Sequence, residues 1–394
     1  MVDFLRISTR STKRGIVEVY PKFIVGKSSD LMIRGGDFYA IWLENRGLWS
    51  TDEQDVIDMV DHELDKYVKE NKNRFDDTML IRYMWDSESG VIDSWHKYVT
   101  KQMRDNYHTL NETLIFSNQE SQKEQYASKR LNYPLQEGDI SAWDELLSVL
   151  YSPEERHKIE WAIGAVVNGA SKTLEKFLVF YGAPGTGKST ILKIIEKLFK
   201  GYYSVFDSKA LGSSNDSFAL EAFKNNPLVA IQHDGDLSKI EDNTRLNSLT
   251  SHEVMSVNEK HKNLYTMQFI SFLFMGTNKP VKITDAKSGI IRRLIDVRPT
   301  GEKIPLAKYN KLVADAKQEL GAIAWHCKEV FEEDPLFYDE YKPTLMMGES
   351  NDFYNFVLNS YMIFSREDGT TLKSAWEMYK QYCEEAKVPY PYPM

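Results

Sequence analysis

From Phe177 to Thr190 the chain reads FLVFYGAPGTGKST, a short apolar run that breaks into a glycine-rich loop and then into an amphipathic stretch. Within it, Gly182 to Ser189 spell G-x-x-x-x-G-K-S. Each fixed position has a physical reason. Glycines at 182, 185 and 187 let the backbone turn tightly enough for several amide N–H groups to face one phosphate chain, and the start of a helix adds its partial positive charge. The loop Gly182, Ala183, Pro184, Gly185, Thr186, Gly187, Lys188, Ser189 and Thr190 is therefore expected to bind a triphosphate, with Lys188 reaching the β- and γ-phosphates and the Ser189 hydroxyl ligating Mg2+. The flanks agree with this. Leu178, Val179 and Phe180 predict a buried parallel strand, and Ile191, Leu192, Ile194, Ile195, Leu198 and Phe199 fall on one face of a helix that stops at Lys200-Gly201.

A parallel strand needs partners, and the chain supplies them downstream. Pro227 opens the run Leu228-Val229-Ala230-Ile231, which ends in Gln232-His233-Asp234-Gly235-Asp236. An acidic residue at the end of an apolar strand after a phosphate loop can stand beside bound magnesium. Asp234 is the first candidate and Asp236 the second, while His233 reads as a hydrogen-bonded neighbour. A third strand, Phe269 to Met275, runs into Gly276-Thr277-Asn278, where Asn278 is placed to orient a water and sense a γ-phosphate. Ser288 to Val297 carries paired arginines, Arg292 and Arg293, ahead of a last strand; an arginine offered to a neighbouring subunit's nucleotide would stabilise charge on the transferring phosphoryl group. Between the second and third strands, Ser256 to Tyr265 alternates and turns over at Glu259 to Asn263, which predicts a hairpin tipped by Lys260, His261 and Lys262. Taken by itself, such a tip reads as a solvated turn.

The rest of the chain frames this centre. With 394 residues, two or three domains are expected, and 42% hydrophobic content can build a core in each. Ile16 to Trp49 predicts strands with a turn at Arg34-Gly35-Gly36, and a helix then follows a capping box of Ser50 and Glu53. Residues 76–128 read as further helices. Asp61-His62-Glu63 lacks a second histidine at ligand spacing and reads as a solvated face. A linker near Leu131 to Asp139 precedes a helical lead-in, with Ser152, Pro153 and Glu155 as a second capping box. Asn215 is expected to cap a helix through Phe218 and Phe223. Ala307 to Glu332 reads as one or two helices. Cys327 and Cys383 are too few for a disulfide framework and have no partners at metal-ligand spacing, and the N-terminus lacks a signal peptide's apolar stretch. The apolar runs fall short of a membrane span, so a cytoplasmic protein without a membrane partner is expected. A net charge of −9 argues against a broadly basic nucleic-acid-coating surface but not against a small basic element inside a channel.

The order of these motifs resembles that of superfamily 3 helicases, most closely the phage and plasmid primase-helicase branch related to the poxvirus primase-helicase, over roughly residues 20–390. The resemblance implies an α/β fold: a 1–130 N-terminal α+β domain, a 131–300 AAA+-type P-loop ATPase domain with a central parallel sheet and a 131–170 lead-in, and a 301–394 helical, winged-helix-like region. It implies ATP and Mg2+ as cofactors, and single-stranded DNA drawn through a homo-oligomeric, hexameric ring. A separate primase or other replisome proteins would be partners. By the same resemblance Lys188 and Ser189 form the phosphate-loop pair, Asp234 or Asp236 the magnesium-side acid, Asn278 the sensor, Arg292 or Arg293 the trans-acting finger, and Lys260, His261 and Lys262 the DNA grip. Two departures stand out. Asp-Gly-Asp occupies the place where the family has a glutamate or paired acids, and residues 1–130 show no acid constellation for primer synthesis. The chain also stops at Tyr-Pro-Tyr-Pro-Met394 before a wing strand, so the last module is expected to be truncated or completed by another polypeptide. Two rivals to the helicase reading remain: a P-loop kinase, and a replication-initiation or loading module that binds ATP only to assemble.

Overall fold

The structure is a computed structural model that describes residues 2–24, 26–33, 39–72, 79–102, 108, 110–213, 218–238, 243–258, 265–281, 289–350, 353, 356–357 and 369–385. The chain divides into two compact units, Met1–Asn132 and Tyr133–Met394.

In the first unit, β1 (Leu5–Ser11), β2 (Val17–Phe23), β3 (Leu31–Ile33), β4 (Tyr39–Leu43) and β5 (Leu48–Ser50) precede the helix α1 (Glu53–Glu70). They are followed by β6 (Met79–Ile81), α2 (Val91–Gln102), β7 (Asn111–Phe116) and β8 (Ala127–Leu131). These strands form two three-stranded sheets, β1-β2-β6 and β3-β4-β5, and a parallel pair, β7 with β8. An aromatic core of Phe4, Trp95 and Tyr98 joins Val56, Val60 and Leu64 of α1. Three expectations change here. Strand β1 starts before Ile16, because LRISTRS alternates only at its apolar end and is polar and exposed beyond it. The described residues of 76–128 contain one α-helix and two short 3-10 turns rather than several helices; Thr-Leu-Ile-Phe has the β-branched and aromatic bias that favours β7. The cap of α1 is Asp52, whose carboxylate accepts from the Gln54 amide at 3.0 Å, while the Ser50 hydroxyl bonds Asp55 instead. The turn at Arg34-Gly35-Gly36 lies outside the described residues.

The second unit begins with α3 (Ser141–Leu150) and α4 (Pro153–Val167), then β9 (Phe177–Tyr181) and α5 (Lys188–Leu198). Next come β10 (Tyr203–Val205), α6 (Ser208–Leu211), β11 (Val229–Gly235), α7 (Thr244–Thr250), β12 (Val254–Val257), β13 (Tyr265–Gln268) and β14 (Phe272–Thr277). The unit continues through α8 (Gly289–Arg293), β15 (Leu294–Val297), α9 (Leu306–Ala316), α10 (Leu320–Glu333), α11 (Thr344–Ser350) and α12 (Leu372–Glu385). Five parallel strands form one sheet in the order β10-β11-β14-β9-β15. Alternation along β9 sends Phe177 and Val179 into a cluster with Leu249, Ile290 and Leu294, and Leu178 and Phe180 to the opposite face. Helices α4 and α5 pack against strands of the sheet, and α10 packs on α4. Helix α4 is buried on every side from Lys158 to Val167, which marks a core helix rather than a surface one.

Ser152 caps α4 as expected, its hydroxyl accepting from the Glu155 amide at 3.3 Å with Pro153 in the first turn. Glu155 does not complete the box. Its carboxylate accepts from Lys158 Nζ at 2.7 Å and from the Arg298 amide at 2.7 Å, because a charged partner and a buried main-chain donor outcompete the exposed cap amide. The helix expected after Asn215 is instead a single 3-10 turn at Glu221–Phe223 among the described residues, with Phe223 as its one buried anchor. Strands β12 and β13 pair antiparallel from Val254 with Gln268 to Val257 with Tyr265, so the hairpin's arms are present. Its tip, with Lys260, His261 and Lys262, lies outside the described residues.

Helices α4 and α10 meet backbone to backbone at Gly164, where a Cβ would stand 1.9 Å from the Cys327 carbonyl oxygen. That oxygen belongs to a helix and has no freedom to retreat. Gly164→Ala is therefore expected to destabilise the chain by about 3 kcal/mol or more, read as a lowered urea midpoint at unchanged slope.

Candidate functional site

Ligand clefts in parallel α/β sheets form beyond the carboxyl ends of the strands. At that end of this sheet a cleft of about 490 Å³ is bounded by Pro184 to Thr190, His233, Asp234 and Asn278. Leu150 and the segment from Glu302 to Tyr309 close its other side.

The loop after β9 takes its shape from its glycines. Gly185 and Gly187 have φ of +78° and +91°, and a Cβ at 187 would meet Leu150 Cδ1 at 2.7 Å. Gly187 then leads directly into α5, so the free amides of the first turn face the cleft. Lys188 is the first residue of that helix and is buried, with all three of its donors engaged. Nζ reaches the carbonyls of Gly182 at 2.7 Å and Ala183 at 2.8 Å, and Asn278 Oδ1 at 2.9 Å. Burial lowers its pKa, and nearby Asp234 works against that shift. Carbonyl oxygens thus occupy the positions at which phosphate oxygens would satisfy the same ammonium, and this donor set fits a triphosphate. Ser189 is exposed on the cleft wall. Thr190 is buried, its hydroxyl paired with Tyr309.

Asp234 is exposed at the end of β11, where the ladder with β14 slips between Gln232 and Gly235. Such a bulge re-aims a side chain, and here it brings Asp234 Oδ1 to 3.4 Å from Asn278 Nδ2. Asn278 therefore touches both Lys188 and Asp234. The close approach needs Gly276, where any Cβ would lie 2.5 Å from the His233 carbonyl. His233 bonds Glu196 of α5 at 2.8 Å, as the sequence suggested of a packed neighbour.

Asp236 is turned elsewhere. Lys279 at 2.8 Å, together with the hydroxyl and amide of Ser238, holds its carboxyl far below the usual range, and it does not line the cleft. The two arginines also part company. Arg293 is buried, its guanidinium donating to Ser251 Oγ at 3.0 Å and to the Gly289 carbonyl at 2.9 Å. Arg292 is 67% exposed in its side chain and is paired loosely with Glu175 at 3.2 Å. Both precede β15, whose first residue Leu294 is level with Phe177, the end of β9 farthest from the loop. The length of that strand, about 13 Å at 3.3 Å per residue, separates them from the cleft of their own chain.

The structure thus gathers Lys188, Ser189, Asp234 and Asn278 around one space and leaves Asp236, Arg292 and Arg293 outside it. The sequence reading missed the opposite wall. Leu150, Ile304, Leu306 and Tyr309 carry no motif, and they reach the cleft because the segment after β15 is pinned to the end of α3. There the Thr300 amide donates to the Leu150 carbonyl at 2.9 Å and the Thr300 hydroxyl to that of Val149 at 2.8 Å. Among the described residues no cluster of three or more His, Cys, Asp or Glu side chains is arranged to hold a metal ion by itself, and no helix is long and apolar enough to cross a membrane.

Comparison with known proteins matches residues 180–293 to a family of unknown function, DUF5906. No curated protein matches the sequence. Among solved structures, the chain is similar to the A-form apo C-terminal region of NrS-1, at 14% identity over 74% of this chain and 77% of that one, with a TM-score of 0.43. A second apo structure of that region gives 14%, 77%, 82% and 0.42 in the same order. The JCV helicase, bound to a small molecule, gives 11%, 59%, 66% and 0.27.

The glycines provide a graded test. Gly187→Ala meets both a positive φ and the Leu150 side chain, and it is expected to weaken binding of a fluorescent ATP analogue at least about tenfold more than Gly185→Ala does. Gly185→Ala meets open space and should lose only the roughly 1–2 kcal/mol of left-handed strain. Equal losses would mean that contact with Leu150 does not shape the loop.

Proposed function

We propose that the chain is a subunit of an ATP-driven DNA helicase that works as a ring, with each nucleotide bound between two subunits. The observation that carries this reading is the separation of the two halves of the site. Lys188, Ser189, Asp234 and Asn278 surround the cleft, while the one exposed arginine of the Arg292-Arg293 pair stands at the opposite end of the strand that bears the loop. An arginine so placed is out of reach of its own chain's cleft, so any nucleotide it serves belongs to another subunit.

In this reading the loop amides and Lys188 hold the β- and γ-phosphates, and Lys188 exchanges the Gly182 and Ala183 carbonyls for phosphate oxygens. Ser189 and Asp234 hold Mg2+, which when bound screens the charge of the phosphate chain. Asn278, already in contact with Lys188 and Asp234, is placed to orient the attacking water and to register the γ-phosphate. Asp234 takes the acidic role because Asp236 is committed to Lys279 and Ser238. Arg292 takes the finger role because Arg293 is consumed in holding the end of α7 to α8. Leu150, Ile304, Leu306 and Tyr309 offer an apolar wall for the base and ribose. Lys260, His261 and Lys262, at the tip between β12 and β13, would grip the phosphates of single-stranded DNA with little sequence preference.

The experiment that tests the reading is ATP hydrolysis with and without single-stranded DNA, with the particle mass measured in an ATP analogue. DNA-stimulated turnover by a ring supports it. A ring without turnover would favour a loading module, and turnover by a monomer indifferent to DNA would favour a kinase-like enzyme. Lys188→Ala is expected to abolish hydrolysis. Changing Lys260 and Lys262 together to Ala should remove unwinding in a fork-substrate assay while basal hydrolysis stays within about twofold, as expected if these side chains contact DNA phosphates only.

A further inference from the structure

Immediately before β9 stand Glu175 and Lys176, which take no part in the cleft and both turn toward Arg292. Lys176 is buried, and its ammonium donates to the Arg292 carbonyl at 2.6 Å and to the Asp339 carbonyl at 2.7 Å. A buried ammonium is costly to keep, and desolvation lowers its pKa. What it gains is a tie between three distant segments: the approach to β9, the end of α8 and the turn after α10.

Glu175 fixes the other end of the same residue. One oxygen, Oε2, stands 3.2 Å from Arg293 Nη2 and 3.2 Å from Arg292 Nη2. Arg293 cannot move, being 6% exposed and bonded to Ser251 and Gly289, and a Cβ at Gly289 would press on it at 2.7 Å. The carboxylate is thereby anchored by one arginine while it orients the other. The balance of strengths suits that task. A free arginine side chain loses rotamer freedom on being ordered. An exposed ion pair is weak, so it biases the guanidinium and still yields it to a phosphate, whose charge-assisted bonds are stronger.

We propose that Glu175 and Lys176 are positioning residues for Arg292: Lys176 fixes its main chain and Glu175 its guanidinium, so the dipeptide ahead of the phosphate-loop strand sets how the finger is presented to the next subunit. This rests on the trans reading of Arg292 given above.

Mixed rings separate the two ideas. A Lys188→Ala subunit can donate a finger but cannot hydrolyse, and an Arg292→Ala subunit can hydrolyse only with a borrowed finger. Their mixture is expected to recover ATPase activity that neither has alone. Adding Glu175→Ala to the Lys188→Ala subunit should then lower the recovered kcat about fivefold, the scale of one exposed ion pair, with KM for ATP within about twofold. Adding it to the Arg292→Ala subunit should change nothing. Lys176→Met on the finger-donating side should cost more, on the order of a hundredfold, with Lys176→Arg restoring part of it and thermal unfolding checking the fold. No loss in the first arrangement, or the same loss in both, overturns the positioning role while the trans finger stands. No recovery in the parent mixture overturns the trans finger itself, and this inference with it.

Discussion

Strand β9 has hydrogen-bonded neighbours on both edges, and this fixes where the loop begins. Leu178 to Tyr181 pair with Phe274 to Thr277 on one side, and Phe177 to Phe180 pair with Leu294 to Val297 on the other. A slip of one residue would exchange the faces of Phe177, Leu178, Val179 and Phe180, all buried, against two ladders at once. The chain therefore leaves the sheet at Tyr181 and nowhere else. Gly182 follows, so close to Pro299 that a Cβ would stand 3.0 Å away, and its amide bonds the Thr277 carbonyl at 3.3 Å. Asn278 is the next residue after Thr277. The distance between the lysine and its asparagine partner is thus a consequence of sheet register, with little left to loop flexibility.

The unit is closed on the α4 side by polar ties as well as by packing. Lys158 of α4 is buried and donates to Glu155, to the Asp296 carbonyl and to the Tyr341 hydroxyl, and Tyr341 in turn donates to Asp296 at 2.5 Å. Arg298 bonds Asp296 and Glu349 and lies over the Tyr181 ring at 4.9 Å. A network of this kind adds little net stability beyond an apolar core, because desolvation offsets the attraction. It is selective, though: Lys158 reaches acceptors on three separate segments at once, so α4, β15 and the turn at Tyr341 fit together in one arrangement.

How far this was legible from sequence depended on whether a residue's role was local. The loop, β9, α5 and the acidic strand end follow from apolar runs broken by glycine, and their positions hold to within a residue or two. The caps were half legible. Ser152 caps α4 because a hydroxyl and its amide are three residues apart, but Glu155 is drawn away by Arg298, which is distant in sequence. Asp234 and Asp236 are ranked only narrowly apart by the sequence and differ clearly in the fold because Lys279 claims one of them. Arg292 and Arg293 likewise differ only once Ser251 and Gly289 are brought beside the second. The wall of Leu150 and Tyr309 was invisible, since its residues have no chemistry of their own and come together only through the pinning of Thr300.

Strand β15 joins these observations into one mechanical statement. Arg292 and Arg293 precede it, and Arg298, Pro299 and Thr300 follow it into the segment that carries Ile304 and Tyr309 to the cleft. All four residues of the strand are buried, and all four pair with β9. Side chains in such a strand cannot slide past a close-packed neighbour without opening voids, and the ladder cannot stretch. Any shift of the segment over the cleft that is not absorbed at Arg298 to Thr300 is therefore passed, at full length, to the arginine at the strand's other end. The tie of Thr300 to Val149 and Leu150, the cation over Tyr181 and the Glu155 bond to the Arg298 amide all lie at that one junction. With these bonds gathered at it, the junction stiffens the path between the cleft wall and Arg292.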